Sequence, residues 1–358
     1  MQLQNYKLDF AGQNIYVGLD THLKSWKVTI MHEKIVHKTF VQVPDPQKLA
    51  EYLKRNYPGA NYHSAYEASF CGFWIHNKLV EMGVKNIVVN PADIPTTDKE
   101  RTQKEDKRDS RKIARCLENS ELEAIYVPSE EDIEDRALLR LRDRMSEDLT
   151  CYKNRIKMML YFQGIKLPEE FANSSHWSKR FLKWIEDVKL KKESGNQAKA
   201  VLLNQANNLR ESLLALTRHI KELSKTEKYK TNAELLLSVP GVGLITAMSI
   251  LTEICRIDRF SGLDHLCSYI GLVPSTASTG DKEIVRGITK RKNSVLRGRI
   301  IESAWVSVRM DPALSLSFAS YCKKMEKNKA IIKIARKLLN RIFYVLRTKN
   351  KYVPCIVK

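Results

Sequence analysis

The hydrophobic pattern of the chain changes its period near residue 125, and this change limits the folds available to it. Before this point, short apolar runs alternate with amphipathic stretches, which predicts alternating strands and helices. The predicted strands are 14–20, 27–32, 38–43, 61–68 and 86–90. The predicted helices are 46–56, 73–82 and 106–119. Three opening strands followed by strand–helix–strand units are typical of a ribonuclease H-like fold, within an α/β plus all-α chain.

From residue 130 to 232 the apolar residues recur at helical spacing. Leu138, Leu141, Met145 and Leu149 follow steps of three and four, with charges on the other face. A second long helix is predicted near 197–226. Two long charged helices of this kind form either an antiparallel pair, a coiled-coil dimer arm or an ordinary helical bundle, and the pattern leaves these open.

A third region begins near residue 235. Residues 238–250 read SVPGVGLITAMSI, which resembles a helix-hairpin-helix whose glycine turn, with Gly241 and Gly243, contacts DNA phosphate through backbone N–H groups. Helices are predicted at 261–270, 293–309 and 328–348. We therefore expect three domains, with boundaries at 1–125, 126–232 and 233–358.

The charge of the chain favours a polyanionic partner. It carries 61 Lys and Arg against 41 Asp and Glu, and its net charge is +20. Residues 281–358 hold 20 basic and 5 acidic residues, so most of the excess lies near the end. Neutralised phosphates release counterions, which predicts DNA or RNA binding, with a solvated basic surface as the alternative.

The remaining composition argues for a cytoplasmic protein. No apolar run is long enough for a membrane span, and the N-terminus has no secretory pattern. The seven cysteines contain no C-x-x-C pair, so neither a zinc ribbon nor a disulfide framework is indicated. We expect reduced, mostly buried thiols.

Four acidic residues of the first region lie near the ends of predicted strands or at the start of a predicted helix. Asp20 and Glu67 lie near the ends of predicted strands, and Asp106 and Asp109 share one face at the start of a helix. Hard oxygen ligands suit Mg²⁺, and two ions about 4 Å apart would activate an attacking oxygen and stabilise the leaving one. Singly, each acid could instead cap a turn or helix or pair with a lysine. Three loop acids are alternatives for the third ligand: Asp98, Glu100 and Glu105.

The segment 91–105, which holds these three alternatives, is charged and nearly free of apolar residues. This composition predicts a mobile loop.

The motifs around these acids resemble a known family. The matching text is YVGLDTHLKSWKV, AYEAS, VVNP, KEDKRDSRKIA, YKNRIKMML, SVPGVGLITA, SYIGLVPSTASTGDK and ITKRKNSVLR, in family order across about 14–310. The chain resembles the DEDD transposases of insertion sequences (the insertion-sequence one-ten family, which includes RNA-guided bridge recombinases). It is also similar to the related pilin-gene invertases.

The resemblance implies an architecture and an activity. A RuvC-like domain is joined through a coiled-coil arm to a C-terminal transposase domain, in a homodimer or homotetramer. The partners are the DNA of the element ends and the target, and a non-coding guide RNA. Four acids corresponding to Asp20, Glu67, Asp106 and Asp109 hold Mg²⁺ or Mn²⁺, in a bacterial or archaeal protein that is cytoplasmic and associated with the nucleoid.

The resemblance also implies a serine nucleophile, contributed by another subunit, that forms a covalent 5′-linked DNA intermediate. In this chain the register after GLVP places Thr279 at that position, next to Ser278 in the hydroxyl loop 275–280. Three hypotheses stay open. Thr279 replaces the serine, although its extra methyl crowds the approach, or a one-residue shift selects Ser278. The third hypothesis is that this copy is impaired.

A second departure is Lys292, where the family commonly has glycine. The flanking Lys290, Asn293 and Arg297 are retained, and we interpret them as nucleic-acid contacts. The alternative for them is an ordinary helix start, with Asn293 capping and Arg297 solvated.

These observations favour site-specific strand exchange for insertion-sequence excision and integration. One alternative is a RuvC-like Holliday-junction resolvase or nuclease, which would use water as the nucleophile and need no hydroxyl loop. The other alternative is a non-catalytic nucleic-acid-binding relative, which would be expected to lack one or more of the four acids.

Overall fold

The computed structural model describes residues 9–95, 106–172, 177–279 and 282–354. Within these ranges, the side chains of residues 106–108, 172, 276–279 and 282–286 lie outside the description. The chain divides into two compact units, Met1–Val127 and Pro128–Lys358. The further division at residue 232 stays a prediction.

The first unit is built on a five-stranded mixed sheet. Its strands are β1 (Asn14–Thr21), β2 (Trp26–His32), β3 (Ile35–Gln42), β4 (Asn61–Glu67) and β5 (Lys85–Val89). They are arranged in the order β3-β2-β1-β4-β5. The first three strands pair antiparallel, and β4 and β5 continue parallel to β1. The central strand β1 therefore has an antiparallel neighbour on one side and a parallel one on the other.

The third strand begins three residues earlier than the sequence predicts. Glu33 and Lys34 alone turn the chain between β2 and β3, with φ angles of 50° and 62°. Two consecutive positive φ angles are typical of the tight hairpin turns that match strand twist. Because neither residue is glycine or asparagine, the sequence gives no turn signal here.

Among the described residues of this unit, three helices accompany the sheet: α1 (Pro46–Asn56), α2 (Trp74–Glu81) and α3 (Asp106–Glu118). The bounds of α1 agree with the prediction, because Asp45 caps it and proline occupies its first turn. The core of this unit combines the inward side chains of the strands with Leu49 and Leu53 of α1 and Ile75 and Leu79 of α2. After β5, Pro91–Asp93 forms a 3-10 turn within the segment 91–105 that the sequence predicts to be a mobile loop. Residues 96–105 of that segment lie outside the described residues, so the loop stays a prediction there.

The contact between α3 and β1 is unusually close. A Cβ atom on Gly18 would lie 2.0 Å from the carbonyl oxygen of Ser110 and 2.5 Å from the amide nitrogen of Ala114. The Ser110 hydroxyl also lies 2.9 Å from that of Thr29 on β2. The lack of a side chain at residue 18 therefore sets the position of α3 on the sheet.

The second unit begins with the helices α4 (Glu130–Phe162), α5 (Glu169–Ala172), α6 (Lys179–Asp187) and α7 (Glu193–Leu223). Arg142 on α4 reaches Thr217 on α7, while Leu149 and Lys153 share a pocket with Ala206 and its neighbours. Residues with higher numbers on α4 thus contact residues with lower numbers on α7, so the two helices run antiparallel within the chain, which is one of the three alternatives that the sequence left open. A small core joins the far end of this pair to α6 through Ile156, Leu160, Phe181, Ile185 and Leu203.

The rest of the second unit is mainly helical. Its helices are α8 (Lys230–Leu237), α9 (Leu244–Ile254), α10 (Leu263–Ile270), α11 (Ser294–Met310), α12 (Pro312–Cys322) and α13 (Lys327–Thr348). The apolar face of α13 is buried in the core, and most of its lysines are exposed. The predicted mixed α/β first part followed by a helical remainder is confirmed. Among the described helices, none has the length and apolar character that crossing a membrane requires.

The predicted hydroxyl loop at 275–280 is wrong for its described part. Pro274–Thr279 forms strand β6, which pairs antiparallel with β7 (Lys282–Ile288). Threonine recurs in β6 and isoleucine and valine in β7, and these β-branched residues favour extended backbone. A Gly-Asp pair between two such runs is a hairpin signal that the sequence interpretation did not use.

The approach of α3 to Gly18 generates a stability prediction. Gly18→Ala should lower the free energy of unfolding of the first unit by about 1–3 kcal/mol or more, because the added methyl meets rigid backbone. Denaturant unfolding measures this. Gly298→Ala on α11 is the control, since a Cβ there meets nothing within 4 Å. That change should be neutral or stabilise by up to about 1 kcal/mol. Equal effects of the two changes would contradict the close contact.

Candidate active site

Two of the four predicted acids lie at the ends of adjacent parallel strands. The pairing of β1 with β4 aligns Leu19 with Tyr66, so Asp20 and Glu67 occupy the next position on each strand. Both acids are partly buried. Parallel strands end at the same edge of a sheet, where sites of α/β proteins form. The strand register therefore brings these two carboxylates to one edge.

A third acid reaches this edge from α3. Asp109 is the residue before Ser110, whose backbone packs against Gly18. Gly18 in turn lies two positions before Asp20 on β1. Burial raises the pKa of Asp20 above its usual value. The charge of Asp109 raises this pKa further, while His22, whose Nε2 lies 3.2 Å from Asp20 Oδ2, lowers it. Asp20 and Asp109 are thus close enough for their like charges to repel each other.

This donor set fits a divalent cation. Partly buried carboxylates that repel each other are stabilised by a positive ion, and carboxylate oxygens are preferred ligands of Mg²⁺. Among the described side chains, no group of three or more potential ligands is already arranged around a common point. Asp106 begins α3, but its side chain lies outside the description. The alternative ligands lie outside the described residues altogether: Asp98, Glu100 and Glu105.

The two candidate nucleophiles lie in strand β6. Ser278 pairs with Glu283 and Thr279 with Lys282 near the end of the β6–β7 hairpin. Their side chains lie outside the description, so the choice between them stays open. A hydrogen-bonded strand nevertheless fixes the backbone that carries the hydroxyl groups.

The glycine turn between α8 and α9 has two different glycines. Gly241 has a φ of +87°, and a Cβ there would lie 2.3 Å from the Ser307 hydroxyl of α11. That hydroxyl donates to the Pro240 carbonyl at 2.7 Å, which fastens the turn to α11. Gly243 is exposed at the start of α9 with nothing within 4 Å of its Cβ position. Of the two, Gly243 is the exposed one, and its contact with phosphate stays a prediction, whereas Gly241 packs against α11.

The three residues around the start of α11 also differ from each other. Asn293 caps α11 and donates its side-chain amide to Glu253 at 2.8 Å, so the capping alternative is confirmed for it. Arg297 donates to the carbonyls of Gly271 and Thr289 at 3.2 and 2.6 Å. Lys290 is exposed. Nucleic-acid contacts by these residues stay predictions, and Lys290 is the one whose charge faces solvent.

The sequence interpretation missed the buried carboxylate at the centre of this region. The side chain of Glu253 on α9 is only 2% exposed and accepts two hydrogen bonds from Arg140 of α4, at 2.6 and 2.9 Å. Burial acts to raise the pKa of Glu253, but Arg140, Asn293 and Arg136 outweigh it and lower the pKa. Its partner Arg140 is 113 positions away. No local motif could have indicated this pair.

Comparison with known proteins adds an independent line of observation. A family model described as a transposase matches residues 17–163, and one described as the transposase IS116/IS110/IS902 family matches residues 233–319. The transposase for insertion sequence element IS1111A of Coxiella burnetii is 26% identical over 283 residues, which cover 77% of this chain and 75% of that protein. The transposase for IS1533 of Leptospira borgpetersenii is 28% identical over 253 residues, covering 68% and 70%.

A pilin gene-inverting protein of Moraxella bovis is 31% identical over 152 residues, which cover 40% of this chain and 45% of that protein. Four relatives that match over about two thirds of this chain or more are aligned over 57–75% of their own lengths.

The two family models together span more than half of the chain, and each contains part of the candidate site. The chain is a member of the insertion-sequence transposases. Within that class it belongs to the family that includes IS110, together with the pilin gene-inverting protein.

The repulsion at the acidic edge generates a prediction about metal binding. In the absence of divalent ions, Asp20→Asn should raise the thermal midpoint of the first unit, because a charge destabilised by burial and by Asp109 is removed. Mg²⁺ or Mn²⁺ should raise the midpoint of the unaltered protein but not that of Asp20→Asn, since only the former keeps the full set of ligands. Differential scanning fluorimetry measures both effects.

The exposed Glu51→Gln on α1 is the matched control and should respond to metal like the unaltered protein. Equal stabilisation of Asp20→Asn by the ions would show that Asp20 is not a ligand.

The buried pair of Glu253 and Arg140 generates a pH prediction. Glu253→Gln should reduce the free energy of unfolding at neutral pH by about 2–3 kcal/mol, because one partner of a buried ion pair is lost. A carboxyl with a lowered folded pKa stabilises above its ordinary value of 4.5 and loses this as pH falls below it. Urea unfolding should therefore show a difference in the free energy of unfolding between the unaltered protein and Glu253→Gln at pH 7, and a smaller difference in acid. Glu302→Gln, exposed on α11, should show neither; a pH-independent gap would refute the ion-pair explanation.

Proposed function

We propose that this protein is a DNA recombinase that excises and integrates an insertion sequence by metal-assisted attack of a protein hydroxyl on a phosphodiester. The observation that carries the proposal is the convergence of Asp20, Glu67 and Asp109 at one edge of the sheet. The match of both halves of the chain to transposase models supports it.

We propose further that the first unit has a ribonuclease H-like, RuvC-like fold. The order β3-β2-β1-β4-β5, with three antiparallel strands followed by two parallel ones, supports this assignment. The position of the acids supports it as well, since they lie where β1 and β4 end and where α3 packs across them.

Asp20, Glu67, Asp109 and Asp106 would hold Mg²⁺ or Mn²⁺ in this proposal. When bound, the ions supply positive charge that polarises the phosphate and eases deprotonation of the nucleophile. The chain's own contribution is positional. The Gly18 contact fixes α3, the strand register fixes Asp20 and Glu67, and the hairpin holds the hydroxyl-bearing strand.

In the bond-making step the hydroxyl oxygen of Ser278 or Thr279 would attack the phosphorus. A bond forms between that oxygen and the 5′ phosphate, and the bond to the 3′ oxygen breaks. The hydroxyl loses its proton, and the leaving 3′ oxygen takes one up, so the number of phosphodiester bonds is conserved. Serine chemistry favours Ser278, because it lacks the methyl that crowds threonine, whereas the register of the family motif favours Thr279.

The partners follow from the family and the charge. We propose that the protein binds the DNA of the element ends and the target together with a non-coding guide RNA, in the bacterial or archaeal cytoplasm near the nucleoid. The basic residues of 281–358 support a nucleic-acid partner. We propose a homodimer or homotetramer in which the α4–α7 pair is the coiled-coil arm and the hydroxyl acts on DNA held by the acids of another subunit.

Trapping the covalent intermediate tests this proposal. A nicked DNA substrate carrying element ends, with guide RNA and Mg²⁺, should yield a protein–DNA adduct. Asp20→Asn, Glu67→Gln and Asp109→Asn should each reduce its formation at least about a hundredfold, because charge stabilisation in the transition state is lost. Either Ser278→Ala or Thr279→Val should abolish it, and Ser275→Ala on the same strand should not.

Cleavage without any adduct would contradict the hydroxyl mechanism and favour the resolvase or nuclease with water as nucleophile. Binding without cleavage under all conditions would favour the non-catalytic relative.

A further inference from the structure

A pocket on the α4–α7 pair is not used by the proposed chemistry. It has a volume of about 290 Å³ and lies at the end of the pair that packs against α6. Its polar lining consists of Lys153, Trp177, Ser178, Asn207 and Arg210. The pocket lies entirely within the second unit, whereas the acidic edge belongs to the first. It is therefore a separate feature that needs its own explanation.

The polar groups of the pocket share one chemical property, which is that each can donate a hydrogen bond. The ammonium of Lys153, the guanidinium of Arg210 and the indole N–H of Trp177 can only donate. Ser178 Oγ accepts from the Phe181 amide at 3.2 Å, which leaves its hydroxyl proton free to donate. No carboxylate is among the described residues that line the pocket. Such a lining suits an anion.

The cations of the pocket are not neutralised within the described part of the chain. Lys153 and Arg210 have neither an ion pair nor a hydrogen bond there, and Lys153 Nζ lies 5.8 Å from the centre of the Trp177 ring. Burial lowers the pKa of Lys153, and the charges of Arg210 and Lys157 lower it further. Like charges that are held together without an acid are stabilised by a bound anion.

The start of α6 adds to the positive potential. Ser178 caps this nine-residue helix and lines the pocket, so the positive end of the helix faces it. Anions bind readily at helix starts, and here the helix end coincides with two unpaired cations.

The surroundings of the pocket suit a polymer better than a free ion. Residues 149–168 contain no acid and four basic residues, namely Lys153, Arg155, Lys157 and Lys166. Lys153, Arg155 and Lys157 lie on α4, and basic residues clustered along a helix are the electrostatic footprint of a polyanionic strand. A small cavity beside such a surface can take a single phosphate while the rest of the strand follows the helix.

We propose that this pocket binds a phosphodiester group of a nucleic-acid strand between Lys153 and Arg210, with Asn207, Ser178 and the Trp177 N–H as neutral donors. The inference rests on the proposed function, because a recombinase provides the strands. It assigns a nucleic-acid contact to the α4–α7 pair, which belongs to the second unit.

The test measures binding of the full chain to labelled DNA duplex, single-stranded RNA and RNA hairpin by fluorescence anisotropy at several salt concentrations. The double variant Lys153→Met, Arg210→Met should bind at least one of these about 3–10-fold more weakly. The steepness of its salt dependence should fall by about 0.7–0.9, the value for one phosphate. The probe that is affected identifies the strand as DNA or RNA.

The matched control is Lys183→Met, Arg218→Met, which removes one lysine and one arginine from exposed positions on α6 and α7. It should retain the unaltered salt dependence. Arg210→Lys keeps the charge and should retain most of the affinity, and circular dichroism checks that all variants fold.

Three results would overturn the inference, and they are distinguishable. If the unaltered protein binds none of the probes, the proposed function fails and the site fails with it. If it binds but the double variant matches the control, the site is wrong and the proposed function stands. If inorganic phosphate protects Lys153 from chemical modification, and the double variant binds the nucleic-acid probes as tightly as the unaltered protein, the pocket binds a free anion and not a strand.

Discussion

The contact between Gly18 of β1 and the backbone of α3 sets the geometry on which the acidic site depends. A helix rarely approaches a strand so closely that any Cβ would touch its carbonyl oxygen. Here the approach places Asp109, one residue before the contact, beside Asp20, two residues after it. The pairing of β1 with β4 then supplies Glu67 through the strand register. Each carboxylate is therefore positioned by rigid backbone and not by a loop, which is what a metal site requires.

The second unit is organised in a comparable way around one buried charge. The Glu253 carboxylate accepts hydrogen bonds from Arg140 on α4 and from Asn293 at the start of α11. Its backbone carbonyl accepts a hydrogen bond from the Tyr269 hydroxyl at 3.0 Å. Asn293 lies only five residues after the end of β7. The carboxylate thus ties the long helix pair to the point where the chain leaves the hairpin. A buried ion pair of this kind contributes little net stability but is costly to break, so it defines one arrangement of these helices.

The sequence predicts the parts of this structure that depend on local chemistry. The bounds of α1 follow from Asp45 and Pro46, and the strands that carry Asp20 and Glu67 near their ends follow from their apolar patterns. The motif order predicts the family, and the family models confirm it. These features are visible because each is encoded within a dozen neighbouring residues.

The features that the sequence did not reveal depend on distant partners. Gly241 resembles a phosphate-binding turn, but its close neighbour is Ser307 on α11. Arg297 resembles a nucleic-acid contact, but its guanidinium donates to the Gly271 and Thr289 carbonyls. Glu253 has no motif at all. In each case the role of the residue is determined by a partner that lies far away in the chain or in a neighbouring turn. The hydrophobic period and the residue type carry no information about that partner.

The central claim is that acids from one subunit and a hydroxyl from another act on the same phosphodiester. Mixing two inactive proteins tests it most directly: Asp20→Asn, which keeps both hydroxyls, and the double variant Ser278→Ala, Thr279→Val, which keeps all four acids. With tags of different mass, the mixture should regain the covalent DNA adduct, and the DNA should be attached to the Asp20→Asn subunit. If two subunits that demonstrably associate form no adduct, or if the DNA is attached to the subunit without hydroxyls, the composite site is wrong. An adduct formed by the unmixed Asp20→Asn protein would show that Asp20 is not required.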